Sequence, residues 1–242
     1  MIRLQTQNMD MDFDKHFFNE QLSLVGVASP DEDLRTYTEV DIPANRITSI
    51  TAARVQMTNC DDDETVYLYR DRGVDHYSGD YEHLLTIYLD TITNTGHAVF
   101  WAITNGIDDC YSLHNGGGDL HWIECYGDTG PPSELFLLET VAGAWLADVY
   151  SMLWDTPYYL RVKRDESVGA NGTLYLYIYS DALRTILLDT LSVALREKED
   201  FRYQFAISSY NEGDAGEAAT YYTQHLNLQE AGAGAGISSM RL

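Results

Sequence analysis

Short apolar runs with a period of two recur along most of this chain, the pattern of half-buried β-strands. From Thr173 onward, Leu174, Leu176 and Ile178 fall on one side, while Tyr175, Tyr177 and Tyr179 fall on the other. Successive side chains of a strand point to opposite faces, so the aliphatic set reads as core and the tyrosines as an outer face. In the run before it, Tyr158, Leu160 and Val162 oppose Tyr159, Arg161 and Lys163 in the same way. Strands are predicted over residues 47–58, 65–70, 81–92, 97–104, 120–126, 134–140, 158–164, 173–180, 185–195, 203–209 and 221–229. Gly, Asn and Asp separate them, and Asn-Gly pairs at 105–106, 115–116 and 171–172 supply turn residues that tolerate positive φ. The clearest hairpin joins 158–164 to 173–180. Helical periodicity is weak, with room for a single turn at 181–188 and another at 193–198. The sum is an all-β, two-sheet antiparallel sandwich, and the long runs at 81–92 and 185–195 suit the bent strands of a jelly roll.

Three segments follow from the same reading. Residues 1–36 mix acidic, Met and Phe positions before a turn cluster at Ser29–Asp33 and form an N-terminal arm; residues 37–230 form the sandwich. Residues 231–242 are an Ala-Gly repeat followed by a short tag, a flexible C-terminal tail. The start lacks the apolar core of a signal peptide, and no run is long enough for a spanning helix. Charge narrows the partners: 15 basic against 38 acidic residues give a net charge of −23. Phosphate backbones and anionic lipid surfaces would be repelled, so neither nucleic acid nor membrane is expected as a partner. Three cysteines, an odd and sparse number, do not make a disulfide framework and point to a reducing compartment.

Glu39 and Asp41 resemble the start of a glycosidase acid strand, Glu-x-Asp-x-x-Glu, but Ala44 stands in the third acid's place and Pro43 does not suit a central strand. The spacing of Cys110, His114, His121 and Cys125 suggests zinc; yet His121 and Cys125, four residues apart on one strand, stand about 13 Å apart. The acidic loop of Asp61, Asp62, Asp63 and Glu64 could hold Ca²⁺ through hard oxygen ligands, although the regular calcium-loop spacing is missing and a solvated turn is the plainer reading. No cofactor is otherwise expected. A nucleophile elbow and a phosphate loop are both missing. Asn171–Thr173 matches a glycosylation sequon but reads better as a hairpin turn. The positive signal is aromatic: Tyr175, Tyr177 and Tyr179 form one stripe, and Trp122 and Tyr126 share a strand face with Glu124. Such rings can cover the apolar face of a sugar or anchor a protein interface.

The chain as a whole resembles the concanavalin A-like lectin/glucanase superfamily. The resemblance is carried by the stretches Asp80–Leu85, Ala98–Ala102, Thr156–Lys163 and Gly172–Asp181 and by the closing run Tyr221–Gln229. It spans residues 37–229 and implies a jelly-roll sandwich, in a superfamily that holds lectins, glycosidases and structural modules. Sequences of this look also occur among bacteriophage structural proteins. The expectation is therefore a non-enzymatic virion-associated decoration or tail protein with a lectin-like sandwich, made in the host cytoplasm. Its partners would be other virion proteins, further copies of itself, or a glycan. The alternatives are a free carbohydrate-binding lectin and a divergent glycoside hydrolase.

Overall fold

The computed structural model describes residues 31–43, 45–127 and 130–229; most of the expected arm and the tail lie outside the described residues. Fourteen strands run β1 (Thr38–Ile42), β2 (Ile47–Ile50), β3 (Arg54–Asp62), β4 (Thr65–Asp71), β5 (Tyr81–Ile92), β6 (His97–Thr104), β7 (Leu120–Tyr126), β8 (Ser133–Val141), β9 (Ala144–Met152), β10 (Tyr158–Asp165), β11 (Thr173–Tyr179), β12 (Leu187–Ala194), β13 (Tyr203–Ser208) and β14 (Asp214–Gln229). One short helix, α1, spans Cys110–Asn115. The strands form two antiparallel seven-stranded sheets, sheet A in the order β1-β4-β13-β6-β7-β8-β9 and sheet B in the order β12-β11-β10-β5-β14-β3-β2. The all-β sandwich read from the sequence is the fold. Strands β13 and β14, the last of the described strands, sit inside their sheets: β13 between β4 and β6, β14 between β5 and β3.

Alternation decides which residues meet between the sheets. Leu160 and Val162 of β10, Leu174, Leu176 and Ile178 of β11, Leu135 and Leu137 of β8, and Phe100 and Ile103 of β6 are all fully buried there. Leu34, in a 3-10 turn capped by Asp33, belongs to the same core. Burying each such side chain contributes about 1.5–3 kcal/mol, which makes this interface the main source of stability.

Three local readings change. The run at 47–58 splits into β2 and β3, because Thr51 closes a turn by accepting from Arg54 N through Oγ1 at 2.9 Å. Strand β9 was missed, since as an edge strand it exposes apolar and polar positions alike and the alternation is lost. Single helical turns were expected at 181–188 and 193–198; instead Asp181 accepts from Thr185 N and Ile186 N at 2.9 and 2.6 Å and turns the chain straight into β12. The helix forms elsewhere, started by the Asp109 side chain accepting from Ser112 N at 3.1 Å and stopped at Gly116.

Buried polar groups sit among the apolar ones. His83 is fully enclosed by Tyr77, Tyr81 and Trp101, whose indole N–H donates to its Nδ1 at 3.1 Å. His121 Nδ1 is hydrogen-bonded to the Tyr81 hydroxyl at 2.8 Å. Burial pushes both imidazoles down to about 3, with positive neighbours, Arg72 for His83 and Arg164 for His121, adding to the effect. The unfolded chain protonates each near pH 6.5, while the folded chain refuses the proton until about pH 3. Stability is thus fully present above pH 6.5 and is lost as pH falls through that window, by about 1 kcal/mol per pH unit for each histidine. Urea unfolding midpoints at pH 7.5 and 5.0 should show this loss, and it should shrink in His83→Gln/His121→Gln. An unchanged pH dependence in that variant would assign the acid sensitivity to other groups.

Candidate functional site

Sheet A is apolar on its outer face as well. Along β7, His121, Ile123 and Cys125 face the inter-sheet core, so Trp122, Glu124 and Tyr126 face outward together. Register places Phe136 of β8 opposite Glu124, and Glu134 of β8 and His97 of β6 opposite Tyr126. Further across the sheet, Val99, Ala102, Phe205, Tyr67 and Tyr203 continue a second apolar cluster. Helix α1, through Cys110 and Leu113, and the stretch after β13, through Tyr210, roof part of it. Between these roofs a cleft of about 240 Å³ stays open, lined chiefly by His97, Trp122, Glu124, Tyr126, Phe136 and Tyr210, with Trp145 of β9 also on its wall.

Tyr210 is the centre of this arrangement. Its ring stacks on His97 at 4.0 Å with 14° between planes and on Trp122 at 5.8 Å with 11°, and Tyr111 of α1 meets it edge-on at 4.9 Å. Trp122 is buried and donates its indole N–H to Thr140 Oγ1 at 3.2 Å, so it backs the cleft and leaves the accessible ring area to its neighbours. Tyr126 and Phe136 are half-buried and Trp145 is 57% exposed. Glu124 is buried against His97, hydrogen-bonded to its Nδ1. Burial, reinforced by Glu124 and Glu212, raises the Tyr210 phenol well above its ordinary value and keeps it protonated. The same causes act on the acids behind it: burial and Glu212 push Asp62 up to about 9, and burial raises Glu212 while His97 opposes the rise. No Lys or Arg is among the lining residues.

The other candidates from the sequence lie apart from this cleft. Tyr175, Tyr177 and Tyr179 are half-buried on the outer face of sheet B, where Tyr175 and Tyr177 stack at 6.0 Å and the Arg161 guanidinium lies 5.2 Å above Tyr177. The two aromatic sets therefore occupy opposite faces of the sandwich, and one small ligand cannot touch both. In the acidic loop, Glu64 is buried and accepts from Arg46 Nε at 2.8 Å and from Asp61 N at 2.9 Å, and Asp61 lies 3.6 Å from Arg46. Asp61, Asp63 and Glu64 can converge on one point, where Arg46 already pairs with Asp61 and Glu64. Asp62 turns away toward His97 and Glu212. The Cys/His pairs are divided by sheet A: Cys125 and His121 face the inter-sheet core, whereas Cys110 belongs to the outer cluster and His114 lies 6.2 Å from Trp122. All three cysteines are free and buried. Glu39 is exposed on edge strand β1, and Asp41 accepts from Arg46 N and Ile47 N, which makes it a turn cap.

His97, Tyr210, Phe136, Trp145 and Glu212 escaped the sequence reading. His97 and Phe136 were within reach, since strands flanking β7 must offer their own alternate residues to the face of Trp122 and Tyr126. Tyr210 and Glu212 follow the end of β13, where no periodicity marks them.

No protein-family model matches the chain, and no curated protein matches its sequence. Among solved structures, a legume lectin-like domain from Entamoeba histolytica is similar with a TM-score of 0.57 and 15% identity, over 86% of this chain and 99% of that one. The alginate lyase Aly36B is similar with a TM-score of 0.52 and 10% identity, over 85% and 94%. An alginate lyase from Pseudomonas aeruginosa gives 0.50 and 12%, over 82% and 99%. At such identities the likeness is one of fold: this chain shares the jelly-roll sandwich of a legume lectin-like domain and of alginate lyases.

Proposed function

We propose that the outer face of sheet A recognises carbohydrate and that the chain is a non-enzymatic, lectin-like module. One observation carries this reading: a single cleft combines partly open aromatic rings, Tyr126, Phe136 and Trp145, with the carboxylates Glu124 and Glu134. Rings cover the apolar face of a pyranose, and carboxylates accept from its hydroxyls. The lining also selects. A uronate would bring its charge beside two glutamates without a balancing cation, so the favoured ligand is a neutral sugar or an amino sugar. Abstracting a proton beside a uronate carboxylate needs a base and a positive partner, and a Tyr210 phenol held protonated among acids opposes that chemistry. The lyase activity of the structural neighbours thus does not carry over. On a panel of neutral and amino-sugar glycans, Tyr126→Ala and Trp145→Ala should each weaken binding about tenfold, and Tyr177→Ala should leave it unchanged. Loss on Tyr177→Ala alone would move the site to sheet B, and turnover of a polysaccharide would replace the lectin reading with a divergent hydrolase.

A second reading, self-association of the kind a virion component would need, is supported by a different observation. Edge strands β9 and β12 lie on the same side of the sandwich, joined by Ser192 N donating to Asp148 Oδ2 at 2.9 Å. Along this side Trp145, Leu146, Val149, Leu183, Leu187 and Leu188 are exposed. Unpaired backbone beside exposed apolar side chains is a template for another strand, and a second copy of the chain supplies one. Light scattering at tens of micromolar chain should show a discrete oligomer that Val149→Lys/Leu187→Lys converts to monomer. A monomeric parent chain would remove this reading and leave the glycan one standing.

A further inference from the structure

The acids behind Tyr210 are arranged as ligands. Asp62 at the end of β3, His97 at the start of β6 and Glu212 in the β13–β14 connection each offer an atom, and these atoms lie within 4.8 Å of one another. Three features separate this group from an ordinary acidic surface. Asp62 is 1% exposed; its carboxylate takes the His97 backbone N–H, while its Oδ2 has no hydrogen-bond partner, so a buried carboxylate of this group keeps one oxygen unpaired. His97 is hydrogen-bonded through Nδ1 to Glu124, and its Nε2 lies 3.6 Å from Glu212 Oε1. That separation is too long for a hydrogen bond. It matches two ligands of one ion, since tetrahedral ligands about 2.1 Å from zinc stand about 3.4 Å apart. Finally, a carboxylate holding the remote nitrogen of a ligating histidine is the arrangement that fixes the ring and raises its basicity toward a metal.

We propose that Asp62, His97 and Glu212 bind a divalent transition-metal ion, zinc by ligand type, with Glu124 orienting His97. An imidazole among two carboxylates favours zinc over calcium, which takes oxygen ligands in larger number. In the group of Asp61, Asp63 and Glu64, by contrast, Arg46 already pairs with Asp61 and Glu64. The ion would tie the β13–β14 connection to β3 and β6, and so hold Tyr210, two residues before Glu212, at the cleft. The inference does not depend on the glycan reading, because metal binding is read directly.

The test uses the full chain, stripped with chelator and titrated with zinc by calorimetry and thermal unfolding. One zinc per chain with a micromolar or tighter Kd and a raised Tm is expected, and calcium at the same concentration should leave Tm unmoved. Asp62→Asn and Glu212→Gln should each raise the Kd at least tenfold, while Asp63→Asn should not change it. Glu212 is partly exposed, so its variant keeps the test valid if Asp62→Asn fails to fold by circular dichroism. Absence of saturable binding, or zinc binding indifferent to Glu212→Gln, or binding lost in Asp63→Asn, would overturn the assignment.

Discussion

Both faces of sheet A are apolar, and much of the molecule answers to that constraint. One face is closed by sheet B, as in any sandwich. The other carries a second aromatic cluster that no sheet covers, so the chain roofs it with a helix of six residues and with the stretch bearing Tyr210. The roof is smaller than the sheet. Where it ends, between β7, β8 and Tyr210, rings stay partly open and the cleft begins. The cleft is thus the uncovered margin of a second core.

Charge is distributed unevenly around this frame. The few arginines are bound elsewhere: Arg46 with Glu64, Arg72 with Glu32, Arg161 with Glu82, Arg164 with Glu166 and Arg196 with Glu139. Arg164 is wholly buried and also donates to the Glu199 carbonyl, so it fastens two connections at one end of the sandwich. Among the described residues, Asp62, Glu124 and Glu212 gather around one imidazole, that of His97.

The strands were legible where one face is buried and the other wet. The runs at 81–92, 97–104 and 120–126 coincide with β5, β6 and β7 because their apolar positions keep a period of two or stay continuously buried. Strand β9 was not legible, since Trp145, Leu146 and Val149 lie exposed on an edge and break the alternation. The site divided the same way. Trp122, Glu124 and Tyr126 could be placed on one face by counting along β7. Nothing local indicated that this face, and not that of Tyr175 and Tyr177, would receive Tyr210 and Glu212 from a connection some 85 residues later. The acidic loop was visible as composition, but only the fold shows Arg46 satisfying Glu64 while Asp62 turns to the opposite side.

The positions of β13 and β14 have a consequence for how the molecule is made. In sheet A, β13 joins the β1–β4 pair to the β6–β9 block; in sheet B, β14 joins β2 and β3 to the block from β5 to β12. Remove residues 203–229 and each sheet falls into two unconnected parts. During synthesis the first two hundred residues can therefore form hairpins and local clusters, but neither sheet closes until the final pair has left the ribosome. Folding is a non-local event, with exposed strand edges waiting for residues 203–229.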